Sequence, residues 1–193
     1  MQGVVLVAIH QRLRELGDED LRRACFPEAV LAFREYPDAD LVRIARVVAE
    51  RMPALAPSIA EVLRSLGEEA VATLSTTNPA IVPSVASLGD LIDVIAAGEG
   101  ESRFVLPRFR VVRTEDGRAE LVHTADASVC RFDEGLLIGL AARAGQRVAT
   151  RHPTCRGRRD EACVFVPRVV SSELPGRRFS RTFRFEPPES GDN

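Results

Sequence analysis

One histidine and three cysteines in the last third of the chain constrain its fold more than any other feature of the sequence. They are Cys130, His152, Cys155 and Cys163. Thiolate and imidazole groups are preferred ligands of zinc, and four of them can close one tetrahedral site. Such a site requires that the chain leave Cys130 and return to the same point at His152.

The segment between Cys130 and His152 has the pattern of a helix followed by a strand. Apolar residues recur at helical spacing over 132–144, and Gly145 suits the position just past a helix end. A helix of that length rises by roughly 20 Å, and an extended strand over 147–152 covers about the same distance. The pattern therefore predicts that the strand brings His152 back beside Cys130.

A polar segment that contains Gly157 separates the last two cysteines, which is typical of a tight reversal between two strands. This reversal delivers Cys155 and Cys163 to the same end of the predicted sheet. Other interpretations stay open from the residues alone. The cysteines are also compatible with small buried apolar side chains, two of them with a disulfide, and His152 with a surface position at a strand end.

Positive charge near the four residues favours a metal. The arginines concerned are Arg151, Arg156, Arg158 and Arg159. Three thiolates and one zinc ion leave a formal charge of about −1, and we expect these arginines to offset it and to lower the pKa values of the thiols. The remaining cysteine, Cys25, lies in a predicted helix and is expected only to pack in the core.

The composition describes a globular chain without a membrane segment. The 193 residues are 45% hydrophobic and carry a net charge of −2, which is enough for one sizeable core and argues against a basic nucleic-acid binder. No stretch approaches 18 apolar residues, and the first ten residues lack the features of a signal peptide. We therefore expect a cytoplasmic protein, in which a metal site is favoured over a disulfide.

Helical periodicity dominates the first hundred residues. A first helix is predicted to end at Gly17, Asp18 and Asp38 are predicted to cap the next two helices, and a fourth helix is predicted from Ser58. A further helix is predicted over 87–97. Gly67 falls inside the fourth helix, where we expect it to allow close packing against a neighbouring element.

Strand alternation begins near residue 107. A hairpin of 108–113 and 118–123, the helix of 132–144 and strands near 147–152 and 162–168 follow one another, with Phe109, Val111 and Leu121 as inward candidates. This order predicts an α+β fold. The helical part covers 1–100, and a four-stranded antiparallel sheet with one packed helix covers 101–170.

Residues 171–193 form an Arg/Phe/Pro-rich C-terminal segment. Three interpretations stay open: an added edge strand, an RNA-contacting tail or a segment that docks a partner. A partly ordered tail is typical of such a terminus. We expect no nucleic-acid contact, because no folded nucleic-acid-binding module accompanies it.

Five short segments, in their order and spacing, resemble the haem-nitric oxide/oxygen binding (H-NOX) family of bacterial gas sensors and guanylate cyclase sensor domains. The resemblance covers about residues 1–168. The segments are Met1-Gln-Gly-Val-Val, Tyr36-Pro-Asp-Ala-Asp-Leu-Val-Arg, Leu66-Gly-Glu, Leu106-Pro-Arg-Phe109 and Glu134-Gly-Leu-Leu-Ile-Gly-Leu140.

The resemblance implies a haem site whose binding residues this chain lacks. The family holds haem through a histidine on the helix before the sheet and anchors its propionates with a Tyr-x-Ser-x-Arg motif. No histidine occurs between His10 and His123. The motif aligns with His123-Thr-Ala-Asp-Ala127, so its Tyr, Ser and Arg are replaced by His, Ala and Ala. Without that arginine, a carboxylate loses its fork-shaped charged contact, and we expect no haem.

The resemblance also implies a zinc site, because some members of the family bind zinc through Cys, His, Cys and Cys. The spacing is similar here, with steps of 22, 3 and 8 residues through Cys130, His152, Cys155 and Cys163. In those members the thiolates are thought to respond to oxidants. The implied protein is a stand-alone bacterial sensor with Zn(II) at these four residues and a thiol redox switch.

The resemblance implies a regulator and not an enzyme. The chain has no Ser/His/Asp set in a suggestive context, no phosphate-cradling glycine loop and no open three-ligand metal site. It also has no output module, so we expect it to signal in trans to an unidentified protein such as a histidine kinase or diguanylate cyclase. Two alternatives remain: a purely structural zinc, and a haem or other apolar ligand between the helical part and the sheet.

Overall fold

Five α-helices form the described residues of the first part of the protein. The structure, a computed structural model, describes residues 2–53, 58–98, 105–115 and 118–172. The helices are α1 (Gly3–Glu15), α2 (Glu19–Cys25), α3 (Asp38–Arg51), α4 (Ile59–Thr77) and α5 (Leu88–Ala97). The cap predicted at Asp18 is confirmed, because its side chain accepts a hydrogen bond from a backbone N–H of the first turn. The helix predicted from Ser58 is also confirmed, and the Ser58 side chain caps it in the same way.

The predicted cap at Asp38 is wrong. Helix α3 begins with Asp38 itself, and Pro37 occupies the cap position without a side-chain hydrogen bond. The Asp38 carboxylate instead accepts from Nη1 of Arg108, with both oxygens at 2.8 Å. The Asp38 carboxylate therefore binds Arg108, 70 residues away in the sequence, instead of capping the helix as the local pattern predicts.

The sheet part contains four strands and one helix. They are β1 (Phe109–Arg113), β2 (Ala119–His123), α6 (Cys130–Arg143), β3 (Gln146–Thr154) and β4 (Val164–Ser172). All neighbouring strands are antiparallel, in the order β1-β2-β4-β3. The predicted α+β fold is confirmed. Strand β4 runs to Ser172, and the Arg/Phe segment after it lies outside the described residues.

Helix α6 lies against α4 on one side and β3 on the other. A Cβ at Gly67 of α4 would collide with the backbone oxygen of Phe132, and a Cβ at Gly135 of α6 would collide with that of Arg64. Two glycines on facing helices therefore allow the backbones to touch. The close packing predicted for Gly67 is confirmed.

A continuous hydrophobic core joins the two parts. On the inner face of the sheet, Phe109, Leu121 and Phe165 are buried, while Val111 is half-buried. Alternation along the strands places these side chains on one face. None of the described helices combines the length and the hydrophobicity needed to cross a membrane.

Candidate metal centre

The structure brings the four predicted residues together at one end of the sheet. One side-chain ligand atom from each of Cys130, His152, Cys155 and Cys163 lies within 4.8 Å of the other three. We call these four residues the Cys3His cluster. Zn–S bonds of about 2.3 Å place two sulfurs on a tetrahedral ion roughly 3.8 Å apart. The Sγ atoms of Cys155 and Cys163 are 3.6 Å apart, which fits such an ion.

Each member of the cluster sits at the end of a regular element. Cys130 is the first residue of α6, which begins two residues earlier than predicted. His152 is near the end of β3, and its ring stacks on the buried Phe165 with centroids 3.9 Å apart. Cys155 follows β3 and Cys163 precedes β4. The out-and-back path of helix and strand is therefore confirmed.

The turn between the last two cysteines is held by its own backbone and side chains. It contains a 3₁₀ turn at Arg156–Arg158, and Arg159 adopts the left-handed conformation with φ 71°. The backbone N–H of Cys155 donates to Oδ2 of Asp160 at 2.6 Å. The Arg158 guanidinium donates to the backbone oxygen of His152 at 2.9 Å. The predicted reversal is confirmed, although Arg159 rather than Gly157 takes the left-handed position.

Backbone amides of this turn point at two of the sulfurs. The N–H of Arg156 donates to Sγ of Cys163 at 3.3 Å, and the N–H of Gly157 hydrogen-bonds the sulfur of Cys155. Donors aimed at sulfur stabilise the thiolate form. The turn is therefore built to receive negative charge on both cysteines.

The three thiols of the cluster differ in acidity. Burial acts to raise the pKa of Cys155, but the Gly157 N–H, hydrogen bonds from the other two thiols and Arg158 hold that pKa below its usual value. Burial, followed by Cys163 and Cys155, raises the pKa of Cys130. Burial and Cys155 raise the pKa of Cys163, against hydrogen bonds with the Arg156 N–H and with Cys130 that act to lower it. The prediction that nearby arginines lower all three thiol pKa values is therefore wrong for two of them.

His152 supplies the sharpest sign that a ligand is needed. Both of its ring nitrogens are buried, and neither has a hydrogen-bond partner among the described residues. Burial, followed by the charge of Arg131, lowers the pKa of His152 to about 4, so its imidazole is neutral at pH 7. A neutral imidazole beside three cysteine sulfurs is the donor set that zinc takes. The residues present therefore fit zinc.

A second polar cluster, which the sequence pattern did not predict, contains Asp133, three residues after Cys130 in the first turn of α6. The buried Asp133 accepts from Nη2 of Arg108 at 2.9 Å and from Nε2 of His123 at 2.8 Å. Arg108 also binds Asp38 of α3. We call Asp38, Arg108, Asp133 and His123 the charge clamp. Burial acts to raise the pKa of Asp133, but His123 and Arg108 hold it below its usual value.

Two members of the charge clamp are more deeply buried than their local positions suggest. The strand-end position of His123 predicts a surface group, and this prediction is wrong, because His123 is 2% exposed. Asp133 lies in the first turn of α6, where an acid is favoured, and its side chain is 1% exposed. Signals for both existed in the sequence. Asp133 precedes Leu137 and Leu140 by four and seven residues on the apolar stripe of α6, and His123 shares a strand face with Leu121.

A third link joins the first turn of α6 to the strand that carries His152. Glu134 accepts from Oγ1 of Thr150 and from Nη1 of Arg131, the latter at 2.7 Å. Thr150 precedes His152 by two residues, so both side chains lie on the inner face of β3. The Cys3His cluster is therefore backed by a carboxylate that fixes α6 against β3.

The histidines do not fit the haem site that the family resemblance implies. The chain has three histidines and none lies on α5, the helix before the sheet. His10 Nε2 accepts from Arg22, and His152 belongs to the Cys3His cluster. His123 is turned toward Asp133.

Cys25 lies apart from both clusters. It is 0% exposed in α2, and burial raises its pKa to about 11. The prediction that it only packs in the core is consistent with this environment.

Comparisons with known proteins find similar folds among solved structures. No family model matches the sequence, and no curated protein matches it. A crystal structure of an H-NOX protein mutant from S. oneidensis in the Fe(II) ligation state has a TM-score of 0.73 at 16% identity, covering 92% of this chain and 100% of that chain. The Fe(II)NO state of an H-NOX protein from S. oneidensis gives 0.70 at 18% identity, over 89% and 100%.

An unliganded Fe(II) H-NOX protein mutant from K. algicida gives a TM-score of 0.63 at 12% identity, over 89% of this chain and 97% of that chain. At identities this low, the structural similarity establishes only the fold of the chain. Its chemistry has to be argued from its own residues. The protein has the H-NOX fold.

Proposed function

We propose that this protein is a regulatory sensor, not an enzyme, that holds one Zn(II) ion in the Cys3His cluster. Its thiolates act as a redox switch, it signals to a partner in trans, and it carries no haem. One observation supports this proposal above the others. The ligand atoms of the cluster lie within 4.8 Å of one another, and both buried nitrogens of His152 lack a partner among the described residues.

The zinc ion, when bound, keeps the sulfurs in the thiolate form and joins four chain segments at one point. The chain's own residues then determine which sulfur is reached first. Cys130 and Cys163 are buried, whereas Cys155 is half-buried at the turn. We therefore assign the first oxidation to Cys155.

The oxidant class that fits this step is a hydroperoxide. The Cys155 sulfur attacks the peroxide, so that an S–O bond forms, the O–O bond breaks and hydroxide or alkoxide leaves. The Cys163 sulfur, 3.6 Å away, then attacks the sulfenic sulfur. An S–S bond forms, the S–O bond breaks and a hydroxide leaves. Two thiolates thus lose two electrons to one peroxide, and two ligands of the cluster are lost.

Loss of these two ligands loosens the turn between β3 and β4. The turn lies at the protein surface, with Arg156, Arg158 and Arg159 exposed around it. A partner that recognises the ordered turn would therefore distinguish the reduced, zinc-loaded state from the oxidised one. The partner in this proposal is an unidentified signalling protein, such as a histidine kinase or diguanylate cyclase.

Metal analysis and oxidant-triggered zinc release test the proposal. Purified protein is expected to contain one zinc per chain, to release it on addition of hydrogen peroxide and to rebind it after thiol reduction. Peptide mapping is expected to find a Cys155–Cys163 disulfide. The matched control Cys25→Ser should behave like the wild type, because Cys25 is buried away from the cluster.

Three results would contradict the proposal. If the purified protein contains no zinc, the proposed metal site is wrong. If zinc is released only when the protein is denatured, the ion is structural and the thiolates are not a redox switch. A Soret band at stoichiometric intensity, read from protein made with haem available, shows that the chain binds haem.

A further inference from the structure

We infer that the charge clamp is energetically coupled to the Cys3His cluster, so that the state of the metal site reaches helix α3. This inference rests on the proposed function and adds the route by which zinc loss changes the helical part. It is carried by the contacts of one short segment, the first turn of α6.

The first turn of α6 belongs to both clusters. Cys130 is its first residue and a member of the Cys3His cluster. Asp133 follows three residues later, and side chains at that spacing are neighbours on a helix surface. Its carboxylate is the centre of the charge clamp. A displacement of this turn therefore changes both clusters at once.

Arg108 connects this turn to the helical part. Its Nε and Nη2 donate to Asp133 at 3.1 and 2.9 Å, and its backbone N–H donates to the same carboxylate at 3.1 Å. Its Nη1 donates to both oxygens of Asp38 at 2.8 Å. Because guanidinium is planar and rigid, a shift of one carboxylate changes the geometry at the other.

The first turn cannot absorb a displacement by itself. The backbones of α4 and α6 touch at Gly67 and Gly135, so the turn is seated against α4. On its other side, Glu134 accepts from Thr150 of β3. A change at His152 on β3 is therefore passed to α6 through Glu134 as well as through the metal ligands.

Coupling between two sites is reciprocal. If zinc binding strengthens the Arg108–Asp38 ion pair by some factor, then loss of that ion pair must weaken zinc binding by the same factor. Asp38 lies on α3, outside the Cys3His cluster, so this effect cannot arise from direct contact with the ion.

The test compares Asp38→Asn with the matched control Asp40→Asn. Both residues lie in the first turn of α3, and the ion-pair partner of Asp40 is Arg43, at 3.9 Å. The zinc affinity of each reduced, full-length protein is measured by competition with a chromophoric chelator. We expect Asp38→Asn to weaken zinc binding about 5- to 10-fold, at the low end of typical coupling factors, and Asp40→Asn to leave it unchanged.

Hydrogen exchange provides the second readout. In the wild type, removal of zinc is expected to speed amide exchange in the first turn of α3, and in Asp38→Asn this difference should disappear. Equal zinc affinities for Asp38→Asn and Asp40→Asn would overturn the coupling but not the proposed function. The same holds if amide exchange in α3 of the wild type does not change when zinc is removed. A wild-type protein that binds no zinc would overturn the proposed function together with the coupling.

Discussion

Two buried polar clusters share the first turn of α6, and they differ in how far the protein itself pairs their polar groups. In the charge clamp, Arg108 and His123 face the carboxylates of Asp38 and Asp133. Nδ1 of His123 has no partner among the described residues, but Nε2 of the same ring binds Asp133. In the Cys3His cluster, neither ring nitrogen of His152 has such a partner. Buried polar groups in folded proteins are nearly always paired, so the Cys3His cluster is the better candidate for an ion from outside.

The largest expected effect comes from breaking the cluster that needs no ion. Asp133→Ala leaves Arg108 and His123 without their shared carboxylate, and removing one partner from a buried pair costs about 3–5 kcal/mol. The free energy of unfolding of the zinc-free protein should fall by that amount, as measured by urea denaturation. Asp40→Ala is the surface control, and a loss below about 1 kcal/mol would show that the clamp is not a closed cluster.

The second effect comes from supplying or removing the ion. Zinc at about 100 times its Kd should raise the free energy of unfolding by about 2.7 kcal/mol, because the folded Cys3His cluster binds it and the unfolded chain does not. His152→Ala should remove most of this gain. Urea denaturation in zinc-buffered solution measures it, with Cys25→Ser as control. A gain that His152→Ala leaves intact would place zinc elsewhere.

The carboxyl group of Glu68 on α4 lies close to α6 and tests whether every buried charge near that helix is paired with an opposite charge. Burial raises the pKa of Glu68 to about 7, against the attraction of Arg64 and with repulsion from Glu69 and Glu134. The folded-state pKa therefore exceeds the unfolded value, so the folded protein binds the proton more tightly. Stability should be higher below pH 4.5 and should fall as the pH rises from 4.5 to about 7.

Glu68→Gln should remove this part of the pH dependence and stabilise the protein at pH 8 by about 2 kcal/mol. Urea denaturation from pH 5 to 8 measures the effect. Glu61→Gln, on the exposed first turn of α4, is the control. If the stability of the wild type and that of Glu68→Gln change with pH in the same way over this range, the raised pKa of Glu68 is contradicted.

The smallest effect is expected at the thiol that belongs to neither cluster. Cys25 is fully buried and its pKa is raised to about 11, so at pH 8 it is a protected thiol. Mass spectrometry after alkylation of native protein should find Cys25 unmodified, while removal of zinc should expose Cys155 to the reagent. Modification of Cys25 at the same rate as Cys155 would show that exposure does not separate the two.

The parts that sequence reasoning predicted depend on local spacing. The helices, the Asp18 cap, the succession of strands and helix along the chain and the meeting of His152 with Cys130 all follow from periodicity and from the rise per residue. These quantities belong to short segments. A sequence pattern therefore predicts them without information about distant residues.

The charge clamp could not be predicted in the same way. Arg108 and Asp38 are separated by 70 residues, and no local pattern pairs an arginine before a strand with an acid at a helix start. Asp133 and His123 were open to prediction, because each lies on an apolar face where a polar group requires a partner. The partners of these two residues could not be predicted, because an apolar pattern on one face of a helix or strand shows that a group is buried but does not show which group it contacts.

The position of Cys130 as the first residue of α6 limits how this part of the chain can change in length. One added helical residue advances the helix by about 1.5 Å and turns it by about 100°, whereas one added strand residue advances β3 by about 3.3 Å and reverses its faces. A single insertion in either element therefore separates Cys130 from His152 or turns one of them outward. A balanced change, about two turns of helix against about four strand residues on the return, keeps the distance and both faces nearly in register. Loop grafts or deletions between these two residues would have to follow that ratio to keep four donors around one ion.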